Sequence, residues 1–102
     1  MSYIEQRKHQ RIYIAIDVKL SSSSGAVSAR TKNVSGGGAL IEMPFATELF
    51  SLNGQVSISL AAIGTFAATV VHMSGNLLGV KFDNQIQAEK SITAYLERSG
   101  HI

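Results

Sequence analysis

The sequence contains no cysteine, few charges and no long apolar run. Without cysteine the chain can form no disulfide, no thiolate nucleophile and no cysteine-ligated zinc site. Charged residues make up only 16% and apolar residues 45% of the 102 positions, which is too apolar a balance for a disordered segment. Every apolar run falls far short of the roughly 18 residues that a membrane-spanning helix needs, so we expect no membrane span. These absences favour one small cytoplasmic domain.

The usual catalytic arrangements are also missing. The three histidines, His9, His72 and His101, lie far apart, and none has a second ligand at the spacing of a helical metal site. The seven carboxylates are dispersed, with no pair suited to acid–base catalysis. A chain this short has little room for both a core and a deep cleft. The sequence therefore predicts a binding module with no catalytic residue, no metal and no cofactor, and not an enzyme.

What the sequence does have is a series of short alternating segments. Apolar and polar residues alternate from Ile12 to Leu20, which predicts a first strand. The only proline, Pro44, cannot donate to a ladder and ends the third predicted strand. Segment 45–52 follows no period and predicts an irregular connection with apolar anchors. Turn signals separate the other predicted strands, at residues 26–32, 39–43, 56–60, 65–73 and 77–82. Six such strands favour a small antiparallel barrel or a sandwich.

The last segment changes to a helical period. Ile86, Ile92 and Leu96 recur on one face, as expected for an amphipathic helix. Asn84 followed three residues later by Gln87 is typical of a capping box, and a glycine at position 100 is expected to end the helix. The pattern predicts a helix over about 85–98 that covers an open end or a face of the sheet.

The basic residues are unevenly distributed, although the net charge is only +2. Arg7, Lys8 and Arg11 fall within five positions, and we interpret residues 1–11 as a flexible basic arm before a single domain over 12–102. Residues four apart in an extended segment lie on one side, about 13 Å apart. Two such arginines can bind separate anionic or acceptor groups of one medium-sized ligand. A solvated terminus with no ligand accounts for the charges as well.

A second polar segment, NVSGGG, runs from Asn33 to Gly38. If the strand pattern continues through it, Asn33 and Ser35 share the outward face and Val34 points into the core. An amide and a hydroxyl together can read a base edge, and the glycines leave the backbone open to close approach by a ligand. The same residue types also form ordinary turns, so the segment by itself leaves both interpretations open.

Taken together, RKHQR at residues 7–11 and NVSGGG at residues 33–38 resemble the RxxxR and (D/N)xSxxG motifs of the PilZ domain family. The resemblance extends to the strand pair over 65–82, with its Gly79-Val80-Lys81-Phe82 ending, and to the C-terminal helix. It implies a mainly β fold, a six-stranded antiparallel β-barrel with a C-terminal α-helix. It also implies a function, that of a bacterial cytoplasmic receptor for cyclic di-GMP.

The same resemblance implies roles for individual residues. Arg7 and Arg11 would contact guanines and phosphates from the arm. Asn33 and Ser35 would bind a guanine from the barrel surface, and Gly38 would keep the turn open. We expect the arm to become ordered on binding and to pass the signal to a downstream protein. The further candidate contacts are Lys8, Gly37 and Gln6, the last at a position where similar proteins differ in holding one or two ligand molecules.

Two other functions stay open at this point. The first is a PilZ-like protein-interaction domain that binds no nucleotide, and the completeness of both motifs argues against it. The second, less favoured, is a small barrel that binds nucleic acid through the basic arm. The chain has only four phenylalanines and three tyrosines, most of them at core-facing or unassigned positions, which is few for a surface that stacks bases. We therefore expect no nucleic-acid partner.

Overall fold

The structure is a computed structural model that describes residues 11–100. Six antiparallel strands close into a barrel in the order β1-β2-β3-β6-β5-β4, and one helix follows them. This confirms the predicted mainly β, six-stranded barrel with a C-terminal helix and excludes the sandwich. The elements are β1 (Asp17–Ser22), β2 (Gly25–Val34), β3 (Gly38–Glu42), β4 (Gln55–Leu60), β5 (Gly64–Ser74), β6 (Leu77–Phe82) and α1 (Gln85–Arg98).

The barrel closes through the pairing of β1 with β4. Val18 lies opposite Leu60, and Leu20 lies opposite Ile58. All four side chains face the interior and are almost fully buried. Because β1 and β4, the two outer strands of the order, pair with each other, the strands of residues 11–100 leave no edge unpaired.

Alternating residues of the strands fill the core, and the helix adds one more apolar face to it. The helix begins as the sequence predicts, since the side-chain oxygen of Asn84 accepts a hydrogen bond from the backbone N–H of Gln87 at 3.1 Å. Gly100, beyond its end, has a φ of 81°, a conformation that favours glycine. The buried helical residues belong to the same core cluster as the strands, and they are Ala88, Ile92 and Leu96. Ile86, which the sequence pattern puts on the same face, is exposed instead, because it lies in the first turn of the helix.

The first strand begins later than the sequence pattern predicts, at Asp17 instead of Ile12. The residues between still alternate, with Ile12 and Ile14 half-buried and Ile16 buried. However, they reach β2 through one isolated bridge, through the side chain of a buried threonine and through the backbone hydrogen bond from the N–H of that threonine to the carbonyl of Ile16. No regular ladder therefore forms before Asp17.

The other boundaries agree closely with the sequence pattern. β6 has the predicted limits, and β2 extends two residues beyond its predicted end at Lys32. The segment before β4 contains no strand or helix, and its Phe50 is buried and its Leu49 packs against the core, as expected for an irregular connection with apolar anchors. Among residues 11–100, no helix has both the length and the apolar character needed to cross a membrane.

Candidate functional site

The described end of the basic arm lies along the last part of β2. Ile12 and Val34 exchange two backbone hydrogen bonds of 2.8 Å each. Thr31, which is 2% exposed, donates its hydroxyl hydrogen to the carbonyl of Ile14 at 2.6 Å and accepts from the N–H of Ile16 at 2.8 Å. These bonds hold residues 11–16, which we call the arm root, against the barrel.

The arm root places Arg11 beside Asn33. The Nη1 atom of Arg11 donates to Oδ1 of Asn33 at 2.9 Å, across a separation of 22 positions in the sequence. Arg11 is exposed, whereas Asn33 is only 5% exposed. Among residues 11–100, no group accepts a hydrogen bond from Nδ2 of Asn33. One residue from each of the two sequence motifs is therefore in direct contact with the other.

A β-bulge directs Asn33 to the outer face of the barrel. The pairing of β2 with β3 shifts register after Thr31, so that Asn33 lies opposite the half-buried Leu40. Cross-strand partners share a face of the sheet, whereas strict alternation from the inward Thr31 would send Asn33 into the core. Lys32 is the extra residue of the bulge, and it shifts the alternation of inward and outward side chains by one position. The outward direction predicted for Asn33 follows from this pairing, and Val34 is fully buried, as expected for an inward residue.

Ser35 uses its hydroxyl within the turn that follows β2. It begins the hairpin Ser35–Gly38 that joins β2 to β3, which we call the motif hairpin. Its Oγ accepts hydrogen bonds from the backbone N–H groups of Gly37 and Gly38, both at 3.2 Å, and the residue is 8% exposed. In this structure its hydroxyl holds the turn together.

Gly38 is a glycine because of the neighbouring strand. A Cβ at this position would lie 2.1 Å from the carbonyl oxygen of Val80 and 3.3 Å from Cα of Lys81. Gly38 pairs with Lys81 on β6, and the carbonyl of Gly37 accepts from the N–H of Phe82 at 2.9 Å. The glycine thus allows the motif hairpin to pack directly on the β6 backbone, which is a structural role in addition to the one that the resemblance implies.

Two residues outside the motifs contribute to this end of the barrel. Thr31 could be found from the sequence, because a polar residue that continues the inward series of Val27 and Ala29 must find buried partners. Lys81 is exposed and lies opposite Gly38, and it makes no ion pair within the part of the chain that the structure describes. The sequence analysis includes Lys81 in the ending of the last strand but does not place it at the site, because only the pairing of β3 with β6 brings it to the motif hairpin.

The predicted site residues divide into two groups. The roles expected for Gln6, Arg7 and Lys8 stay predictions, because these three residues lie outside the described range 11–100. The structure brings the other five together at one end of the barrel, and they are Arg11, Asn33, Ser35, Gly37 and Gly38.

Comparison with known proteins adds to this geometry. The family model of the PilZ domain matches residues 5–98, whereas no curated protein matches the sequence. Among solved structures, the PilZ domain of CeSA from a cellulose-synthesizing bacterium is 23% identical, with a TM-score of 0.67, over 88% of this chain and 98% of that chain. The PilZ domain of YcgR from Escherichia coli, solved with c-di-GMP, is 17% identical, with a TM-score of 0.69, over 93% and 94% of the two chains.

A third solved structure is YcgR from Escherichia coli in complex with c-di-GMP, which is 18% identical with a TM-score of 0.66. The likeness covers 94% of this chain but 48% of that one, so the chain spans about half of that protein. Identities this low show a shared fold. The family match, in contrast, includes both sequence motifs, all six strands and the helix. On that evidence the chain belongs to the PilZ domain family.

Proposed function

We propose that this domain is a receptor for cyclic di-GMP, and not an enzyme, and that the ligand binds where the arm root meets the motif hairpin. The observation that carries the proposal is the 2.9 Å hydrogen bond between Arg11 and Asn33. The fold shared with the PilZ domain of YcgR, solved with c-di-GMP, supports it. An arginine and an asparagine in contact offer a planar cationic fork and an amide, which are groups that recognise phosphate and guanine.

The chemistry of the ligand matches the groups at this end of the barrel. Cyclic di-GMP carries two phosphates and two guanines. The guanidinium of Arg11 can bond bidentately to a phosphate or to O6 and N7 of a guanine, and the amide of Asn33 can both donate to and accept from a base edge. Lys81 adds a second exposed cation opposite Gly38. These groups account for both the charge and the bases of the ligand.

The contact between Arg11 and Asn33 also positions the arginine before the ligand arrives. The bond to Oδ1 restricts the guanidinium, while the exposed side chain leaves its other N–H groups accessible. A side chain that is already restricted loses less conformational entropy on binding, and this favours affinity.

Calorimetric titration with cyclic di-GMP tests the proposal. We expect Arg11→Ala to weaken binding by about 10- to 150-fold, because hydrogen bonds to charged groups contribute about 1.5–3 kcal/mol. Arg30→Ala is the matched control: Arg30 is an exposed arginine on β2 whose Nε bonds to Asp17 at 3.0 Å. We expect this variant to bind like the wild type. The melting temperature should change little in either variant, because both side chains are exposed.

Two results contradict the receptor proposal. One is the absence of any binding by the wild-type domain. The other is an affinity that stays the same in the wild type, Arg11→Ala and Arg30→Ala. A large loss of thermal stability in Arg11→Ala alone indicates that the bond to Asn33 serves the fold. A domain that fails to bind is then assigned to the class of PilZ-like interaction domains.

We further propose that the basic arm becomes ordered over the motif hairpin when the ligand binds, and that a downstream protein recognises the ordered arm. Arg7 precedes Arg11 by the four positions that put both on one side of an extended segment. Fixing the backbone costs about 1–2 kcal/mol per residue, which charge-assisted bonds offset. Amide exchange tests the ordering: residues 5–11 should gain protection when cyclic di-GMP is added, while the buried face of α1 stays unchanged. Equal exchange in both states contradicts the ordering alone.

The described surface offers little support for a nucleic-acid-binding function. Within residues 11–100, the exposed aromatic side chains are Tyr13 and Phe45. They lie far apart, since Phe45 follows the end of β3 that is remote from the motif hairpin. A surface for single strands needs several stacking platforms in a row. We therefore expect a single-stranded oligonucleotide to give no binding in the same titration.

A further inference from the structure

Tyr13 is the most exposed of the large apolar side chains in the described part of the chain, at 81%. It lies in the arm root between Ile12 and Ile14, which are half-buried and pack against the core. Alternate residues of an extended segment share a side, so Tyr13 lies on the same side as Arg11. A single exposed aromatic residue is common on protein surfaces and does not by itself indicate a function. The position of Tyr13 relative to the proposed site is the reason to consider one.

The bridge between Ile12 and Val34 sets that position. The arm root and the end of β2 run antiparallel. The residue after Ile12 therefore lies opposite the residue before Val34, which puts Tyr13 opposite Asn33. Residues directly opposite have Cβ atoms about 4.5–5.5 Å apart and share a face. The hydrogen bond from Arg11 to Asn33 is independent evidence for this arrangement, because it shows that the Asn33 side chain lies on the side of the arm root that carries Arg11.

We propose that Tyr13 stacks on a guanine of bound cyclic di-GMP and forms an aromatic wall of the site that neither motif includes. This inference rests on the proposed receptor function. A base whose edge is read by Asn33 needs a flat surface against its face, and the ring opposite Asn33 supplies one. Aromatic side chains are the usual platforms for unpaired bases. The phenol hydroxyl can remain in water while the ring is covered.

Four proteins titrated with cyclic di-GMP test the stacking. We expect Tyr13→Ala and Tyr13→Leu to bind about 5- to 150-fold more weakly than the wild type, which is the range found when a base-stacking aromatic residue is replaced. Tyr13→Phe should retain the wild-type affinity because it keeps the ring. The leucine variant separates stacking from the burial of apolar surface, because it keeps an apolar side chain but has no flat face.

Phe45→Ala is the matched control. Phe45 is also an exposed aromatic residue, at 57%, but it follows the end of β3 that lies away from the motif hairpin. Its loss should leave the affinity unchanged. The melting curve of Tyr13→Ala should match that of the wild type, because the side chain takes no part in the core.

A spectroscopic measurement gives a second readout. In wild-type protein labelled on its tyrosine rings, the Tyr13 ring protons should move upfield when cyclic di-GMP is added, because the ring current of a stacked base shields them. A tyrosine with a purely structural role would show no such shift.

The outcomes separate this inference from the receptor proposal. If the wild type binds and Arg11→Ala weakens binding while Tyr13→Ala binds normally, the stacking inference fails and the receptor proposal stands. A loss in Tyr13→Phe as large as that in Tyr13→Ala also overturns the stacking, since the ring is still present. If the wild type does not bind cyclic di-GMP, both proposals fail together.

Discussion

β3 and β6 lie side by side in the barrel, and a hairpin that contains glycine stands at each end of this pair. The two hairpins need their glycines for different reasons. In the motif hairpin, a Cβ on Gly38 would lie 2.1 Å from the carbonyl oxygen of Val80, so the glycine is required by the space available. In the hairpin between β5 and β6, a Cβ on Gly75 would have no atom of residues 11–100 within 4 Å, apart from those of its chain neighbours. The φ of Gly75 is 60°, so the backbone angle, and not the space, requires the glycine. The first hairpin is built for close packing and the second only for a tight turn.

Buried polar side chains also distinguish the two ends of the barrel. The buried polar side chains of residues 11–100 are Thr31, Asn33 and Ser35, all in or next to the motif hairpin. At the other end, the half-buried Asn76 donates from Nδ2 to the carbonyl of Met43 at 2.8 Å. Buried polar groups reduce stability unless they are partnered. Their concentration at one end of the barrel therefore supports a role there besides packing, which agrees with the proposed ligand site.

The largest effect is expected when each hairpin glycine is replaced by alanine. Gly38→Ala should lower the free energy of unfolding by about 3 kcal/mol, because backbone atoms of β6 must move to admit the methyl group. Gly75→Ala should lower it by about 1–2 kcal/mol, the cost of a left-handed conformation in a residue with a side chain. Urea unfolding of both variants measures the difference. Equal losses would mean that the two glycines serve the same purpose.

The effect expected from Thr31→Val does not exceed that of Gly38→Ala. The substitution leaves the carbonyl of Ile14 and the N–H of Ile16 without their side-chain partner, which should cost about 1–3 kcal/mol. The affinity for cyclic di-GMP should fall as well, because the arm root that holds Arg11 is loosened. Thr69→Val is the control, since the hydroxyl of Thr69 bonds only to exposed groups on the barrel surface, and its cost should stay within about 0.5 kcal/mol. Equal costs would argue against a special role for Thr31.

The smallest effects on stability, about 1 kcal/mol each, are expected from Ser35→Ala and Asn76→Ala. Ser35→Ala removes the Oγ that accepts from the N–H groups of Gly37 and Gly38, and Asn76→Ala removes the hydrogen bond from Nδ2 to the carbonyl of Met43. The two should differ in ligand affinity, because only Ser35 lies at the proposed site. Thermal melting together with calorimetric titration measures both quantities. Weaker binding in Asn76→Ala, or unchanged binding in Ser35→Ala, would remove the distinction between the two ends of the barrel.

Sequence patterns located the elements well where the causes are local. The turn at Gly75 and the helix cap at Asn84 depend on residues within a few positions, and both agree with the structure. The sequence pattern places the start of the first strand too early, because the arm root meets β2 through one isolated bridge and through Thr31, far along the chain, instead of through a regular ladder. The strand pattern does not show that the hydroxyl of Ser35 bonds within the turn, because that contact depends on where the strand ends. The motifs identified the family, but they did not include Tyr13 or Lys81.

By itself, the sequence determined the strand periods, the terminal helix with its caps, and the two motifs, since each depends on neighbouring residues. Only the tertiary structure decided that β4 closes the barrel against β1 and that Arg11 contacts Asn33 across 22 positions. It also decided that Gly38 must be a glycine, because the atom that excludes a side chain there belongs to β6. Contacts between distant segments depend on how the strands are arranged in space, and no local periodicity carries that information.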